Sequence, residues 1–159
     1  MTPIQDIVSP MTRTEKRATW SLASIYAFRM LGLFLIMPVL SLYAEQLDGA
    51  TPALIGLAIG IYGIMQSFLQ IPFGLISDRF GRKRLIVAGL LLFFAGSVVA
   101  ALSTNIYGII IGRAIQGSGA IAAAVMALVA DLTQEVHRTK AMALIGASIG
   151  VSFGAVTSD

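Results

Sequence analysis

The run Gly74-Leu75-Ile76-Ser77-Asp78-Arg79-Phe80-Gly81-Arg82-Lys83-Arg84 sets one carboxylate inside a basic turn broken by glycine. A carboxylate at the end of a helix can pair with an arginine or with the positive N-terminus of another helix, and Gly81 permits a tight turn. Buried at a seam between helices, such a contact acts as a latch. Anchoring to anionic headgroups would account for Arg79 to Arg84, but it leaves Asp78 unexplained. A second constellation is Gly112-Arg113-Ala114-Ile115-Gln116-Gly117, where Arg113 and Gln116 share a helix face at i, i+3. An arginine within an apolar stretch is costly and faces a cavity, a counter-charge or backbone carbonyls. No acid lies in the uncharged stretches beside it. Two further stripes, Tyr26 with Arg29 and Tyr62 with Gln66 and Gln70, recur at helical spacing and either line a path or hydrogen-bond between helices.

Other chemistries find no footing. Gly117-Ser118-Gly119-Ala120-Ile121-Ala122 has the spacing of a dinucleotide fingerprint but lacks its strand–turn–helix context. Asp131, Glu135 and His137 lie close in sequence, yet one histidine and no cysteine do not make a transition-metal set, and Glu135 and His137 read as solvated. No nucleophile–base–acid arrangement can be assembled in one membrane layer, so no catalytic residue, metal or cofactor is assigned.

The elements that must carry these residues follow from composition. Of 159 residues, 57% are hydrophobic and 12% charged, and the mean hydropathy is +0.85, which excludes a water-soluble globular domain and a disordered chain. Intervals 49–77, 85–112, 114–130 and 141–158 carry no charge, each about one bilayer crossing long. The spacing predicts helical spans over 18–41, 53–77, 85–103, 106–130 and 141 to the end, because open strands cannot satisfy their backbone in lipid. Residues 1–17 form an N-terminal segment outside the membrane. Thr51-Pro52 reads as an N-cap followed by proline at the first helical position. The short link Ser103-Thr104-Asn105 predicts a tight antiparallel hairpin of the third and fourth spans. Gly56, Gly60, Gly63 with Ser67, and Gly146, Gly150, Gly154, form small-residue faces that invite close helix approach.

Lysine and arginine number three before the first span, four between the second and third, and two between the fourth and fifth, with none in the other connectors. This split places the N-terminus in the cytoplasm. Without interleaved aromatic residues, the same clusters do not read as a nucleic-acid surface.

With these residues in view, the sequence resembles the major facilitator superfamily of secondary transporters. The signature loop of that family, G-x-x-x-D-R-x-G-R-K/R, is matched by Gly74, Asp78, Arg79, Gly81, Arg82 and Lys83. The stretches 53–84 and 112–131 are most similar to the YajR-like branch of bacterial proton-coupled, drug-type antiporters. The resemblance implies an all-α membrane protein of about five transmembrane helices, an incomplete N-terminal six-helix half of a fold whose complete members have twelve spans. It implies that Asp78 latches the two halves at a helix terminus of the C-terminal half, that Asp131 pairs with Arg82, and that Arg79 and Arg82 exchange partners as the halves rock. It implies that Arg113, in an R-x-x-Q-G motif with Gln116, takes part in proton coupling.

Tyr26, Arg29, Tyr62, Gln66 and Gln70 are candidates to line the substrate path. The family's glycine–proline antiporter motif of helix five has no counterpart, since residues 146–159 contain no proline. The expected partners are membrane lipid, protons, a small amphiphilic substrate and the missing C-terminal helices, in a bacterial inner membrane. By itself the chain is expected to be inactive. A small membrane protein with a structural or partner-binding role is the alternative.

Overall fold

The computed structural model of the chain describes residues 10–157. Its helices are α1 (Arg13–Tyr43), followed by a 3-10 turn (Ala44–Gln46), then α2 (Pro52–Phe80), α3 (Arg82–Ala101), α4 (Ile106–Ser118), α5 (Ala122–Leu132) and α6 (Glu135–Thr157). Four stretches, Arg13–Leu40, Pro52–Phe80, Arg82–Ala101 and Ile106–Leu132, are long and apolar enough to cross a membrane. α6 adds a helix of 23 residues, completing the all-α, multi-span arrangement expected from sequence. These helices are apolar nearly all round: Phe28, Phe68, Ile71, Leu75, Phe94 and Leu102 are exposed, as lipid-facing residues are.

Local chemistry explains the boundaries. Thr51 Oγ1 accepts the Leu54 N–H at 3.3 Å with Pro52 at the first helical position, so α2 starts where the sequence places it. Asn105 Oδ1 accepts the Gly108 N–H at 2.8 Å and starts α4. At the other end of α2, Gly81 takes φ +92°, which L residues rarely adopt, and its N–H donates to Ser77 O at 3.1 Å; α3 begins at the next residue. α1 begins with a capping box. Thr12 Oγ1 accepts the Glu15 N–H at 3.2 Å, and Glu15 Oε2 accepts the Thr12 N–H at 2.8 Å. Of the N-terminal segment 1–17, residues 1–9 lie outside the described residues, and Arg13 to Arg17 already belong to α1.

The chain forms two compact units. One comprises Ile36–Val125. In it α3 and α4 pack as the antiparallel hairpin expected from their short link, and α2 packs on α4. Leu40, Ala44, Leu47, Ala58, Ala100, Ile106 and Ile109 form its core cluster. The Ile106 N–H donates to Asp48 O at 3.3 Å, tying the α1–α2 connector to the start of α4.

The other unit comprises the residues up to Leu35 and those from Met126 onward. There α6 lies on the first part of α1: Ser152 Oγ donates to Ala27 O at 3.1 Å, and the rings of Phe34 and Phe153 meet edge to face at 5.3 Å. Leu22, Ala23, Tyr26, Ala141 and Ile145 are buried in it.

One expectation is corrected. The fourth apolar segment is not one helix: α4 ends at Ser118 and α5 begins at Ala122, with Gly119 at φ −78°, ψ 52° between them. The cause is close packing, because a Cβ at Gly119 would collide with Gly89 O of α3, and Ala120 and Ile121 are wholly buried. Within the described residues the glycine stripes are not where helices meet. A Cβ at Gly56, Gly60, Gly63, Gly146, Gly150 or Gly154 would meet open space. α2 turns the opposite face, with Ala58 and Tyr62 buried, toward its neighbours. Close approach is made instead by glycines scattered among bulky residues. A Cβ at Gly96 would lie 2.5 Å from the Gln116 amide nitrogen and 2.6 Å from Gly112 O, and one at Gly117 would strike Tyr62 O.

Candidate functional site

The α2–α3 turn carries the signature loop. Because Gly81 reverses the chain without a side chain, Asp78 and Arg82 are brought together across the turn: Arg82 Nη2 lies 3.2 Å from Asp78 Oδ1. Asp78 is 60% and Arg82 25% exposed. Ser77, buried beside it, donates from Oγ to Gly74 O at 2.6 Å, and Gly74 passes Ala123 at ordinary contact distance. Arg79, Lys83 and Arg84 are exposed. Asp131, exposed near the end of α5, belongs to the other unit.

Arg113 sits in the middle of the 36–125 unit and is only 1% exposed. Three groups hold it. Its Nε donates to Ala58 O of α2 at 3.3 Å, its Nη1 donates to Gln116 Oε1 at 3.1 Å, and its guanidinium carbon stands 4.9 Å from the centre of the Tyr62 ring. Gln116 passes the contact on: its Nε2 donates to Ser97 Oγ of α3 at 2.8 Å, and Ser97 Oγ donates to Phe93 O at 2.8 Å. The polar chain therefore runs from α2 through α4 to α3, inside a layer where each unmade hydrogen bond is costly. Gly96 and Gly112 make it possible by letting the backbones of α3 and α4 nearly touch, which puts Ser97 within reach of Gln116.

Of the surroundings open to Arg113, a backbone carbonyl is observed at Ala58 O, and no carboxylate of the described residues hydrogen-bonds to it. Tyr62, placed by sequence in a separate stripe, belongs to the Arg113 site, while Gln66 and Gln70 on the same helix are half-buried. Tyr26 and Arg29 are buried in the other unit. Ser97 and the Ala58 carbonyl were not legible: one is a common residue in an apolar stretch, the other a backbone atom. The signal that could have found them is the small Gly96-Ser97 pair within the bulky run of α3.

In the unit holding α6, Glu15 is the residue that sequence reasoning missed. It is 5% exposed, and its Oε1 accepts the Gln134 N–H at 2.8 Å while Oε2 serves the Thr12 cap. The α5–α6 turn is further held by Arg138 Nε donating to Ala130 O at 3.2 Å and by Thr133 Oγ1 donating to Val129 O. Glu135 is exposed as expected, but His137 is buried, because the turn between α5 and α6 folds it under.

The chain's relatives agree with this architecture. The Major Facilitator Superfamily profile matches residues 22–158. The inner membrane transport protein YajR of Escherichia coli K12 is 64% identical over 143 residues, which cover 90% of this chain and 32% of that protein. An uncharacterized transporter of Buchnera aphidicola subsp. Schizaphis graminum is 50% identical over the same length, covering 37% of its own. Multidrug resistance protein 2 of Bacillus subtilis is 36% identical over 77% of this chain and 31% of its own. The chain thus spans about a third of the length of the curated relatives it matches. With the signature turn, the arginine–glutamine pair of the fourth span and these matches together, the chain belongs to the Major Facilitator Superfamily.

Proposed function

We propose that the chain is the N-terminal part of a proton-coupled secondary transporter of the multidrug efflux type, working by alternating access in a bacterial inner membrane with its N-terminus in the cytoplasm. The observation that carries this reading is the Asp78–Arg82 pair across Gly81. A latch has to close and open within each cycle, so its bonds must be specific in geometry and small in net energy. An ion pair with both partners partly exposed meets that need, since such pairs contribute only ~0–1 kcal/mol. In the cycle, Asp78 leaves Arg82 to meet the positive N-terminal end of a helix in the other half of the transporter, and Arg82 turns to Asp131. Gly81 keeps the turn compact, Gly74 belongs to the same latch signature on α2, and Arg79 and Lys83 hold the turn at the cytoplasmic surface.

Arg113 and Gln116 serve proton coupling, with an acid that the remaining helices supply. The buried guanidinium, already held by Ala58 and Gln116, lowers the affinity of such an acid for its proton when the two approach. Tyr26, Arg29, Tyr62, Gln66 and Gln70 line the path of an amphiphilic substrate. The relatives' names, which include an inner membrane transport protein and multidrug resistance proteins, support transport rather than catalysis.

The test is a chimera in which this chain replaces the matching third of the Escherichia coli relative, assayed in everted vesicles for proton release on addition of a panel of amphiphilic dyes. Asp78→Asn should abolish or sharply slow exchange while leaving membrane insertion intact. Unaltered exchange in that variant would refute the latch. An active chimera whose flux ignores the pH gradient would refute proton coupling.

A further inference from the structure

Beside Arg113 the 36–125 unit contains a cavity of about 270 Å³, lined among others by Ile36, Val39, Leu40, Ala100, Ile109 and Arg113. The guanidinium spends Nε and Nη1 on Ala58 O and Gln116, but Nη2 is buried with no hydrogen-bond partner. Asp48 lies in the α1–α2 connector and Asp78 near the end of α2, and neither hydrogen-bonds to Arg113. Among the described residues the guanidinium therefore keeps a donor without an acceptor, beside an apolar hollow that Arg113 helps to line.

We propose that this cavity binds a single-chain amphiphilic carboxylic acid, with its carboxylate on Arg113 Nη2 and its alkyl chain among Ile36, Val39, Leu40, Ala100 and Ile109. The head must be an anion, because a cation would be repelled and a neutral group would leave the guanidinium charge uncompensated. It must also be small in acceptor number. The serines of the lining are already committed, Ser97 Oγ to Phe93 O and Ser103 Oγ to Val99 O, so the several oxygens of a phosphate would go largely unpaired. The rest of the lining is apolar, which a tail fills and an inorganic anion does not. The volume lies just under the usual range for drug-sized ligands, and suits one chain rather than two. Val39 and Tyr43, both more than half exposed, form the mouth of the cavity, through which such an acid would enter.

The assignment concerns what Arg113 binds and needs no transport step, so binding tests it apart from antiport. The chain is purified in an uncharged detergent and titrated with decanoate, decanol and decyltrimethylammonium, and bound adducts are counted by native mass spectrometry. Decanoate should bind one per chain and more tightly than the other two. Arg113→Gln should weaken it by about tenfold or more. Val39→Phe, which narrows the exposed mouth and leaves Arg113 in place, should weaken it with unchanged helix content, and it decides the matter if Arg113→Gln fails to fold. Decyltrimethylammonium binding as tightly as decanoate, or wild-type affinity in a folded Val39→Phe chain, would overturn the site. Displacement of decanoate by an equal concentration of phosphatidylglycerol would overturn the free acid in favour of a phospholipid.

Discussion

The Glu15 carboxylate accepts the backbone N–H of Gln134 at 2.8 Å, joining residues 119 positions apart. Its other oxygen closes the capping box of α1 through the N–H and hydroxyl of Thr12. One side chain thus satisfies the first turn of α1 and the turn that launches α6. Glu15 is a staple for the cytoplasmic end of this unit in the orientation proposed above.

Replacing Glu15 by alanine removes all of these bonds at once. Its thermal unfolding in detergent should begin at a clearly lower temperature than wild type, whereas Glu135→Ala, which removes an exposed pair with Arg138, should leave it nearly unchanged. Equal melting temperatures for the two variants would show that Glu15 staples nothing.

The two glycines of the signature turn should behave differently. Gly81→Ala forces an L residue to φ +92° and should cost ~1–3 kcal/mol. Gly74→Ala adds a methyl where the nearest atom is the Ala123 Cβ at 3.7 Å, and should be close to neutral. Denaturant titration of the two proteins measures the difference.

A parallel contrast applies to the helix faces. At Gly96, alanine would collide with backbone of α4 that cannot move aside, so a loss of ~1–3 kcal/mol or more is expected. Alanine at Gly60 meets open space in mid-helix and should stabilise by up to ~1 kcal/mol. The order of unfolding midpoints, Gly60→Ala above wild type above Gly96→Ala, is the result that matters.

The Gln116–Ser97 bond can be weighed by a double-mutant cycle. Ser97→Ala strands the Gln116 amide, and Ser97→Ala with Gln116→Leu removes both partners. A coupling of ~0.6–2 kcal/mol is expected for a hydrogen bond of this kind between membrane helices. Additive losses would mean that the two side chains do not support each other.

Orientation has its own test, since the chain contains no cysteine. Thr104→Cys, at the exposed α3–α4 link, should react with an impermeant thiol reagent added to intact cells, and Lys83→Cys, at the exposed α2–α3 turn, should not. The reverse pattern would invert the topology.

Much of the architecture was legible in the order of residues because it follows from local rules. Uninterrupted apolar runs must become helices in lipid, Thr51-Pro52 and Asn105 must start them, and a glycine between Asp78 and Arg82 must turn them. The buried Arg113 and its Gln116 partner stood out for the same reason: a cation in an apolar run has few ways to be satisfied. What local rules could not reach was which faces meet. Gly56, Gly60 and Gly63 have the spacing of a packing face, yet α2 turns Ala58 and Tyr62 inward, where Ala58 O accepts from the Arg113 guanidinium, the Tyr62 ring stands beside it and Gly117 lets the two backbones approach. The break at Gly119 to Ile121, the reach of Gln116 to Ser97 and the bond from Glu15 to Gln134 likewise depend on atoms distant in sequence. Glycine permits close approach wherever it occurs, but only a neighbouring backbone, brought there by the rest of the fold, makes use of it.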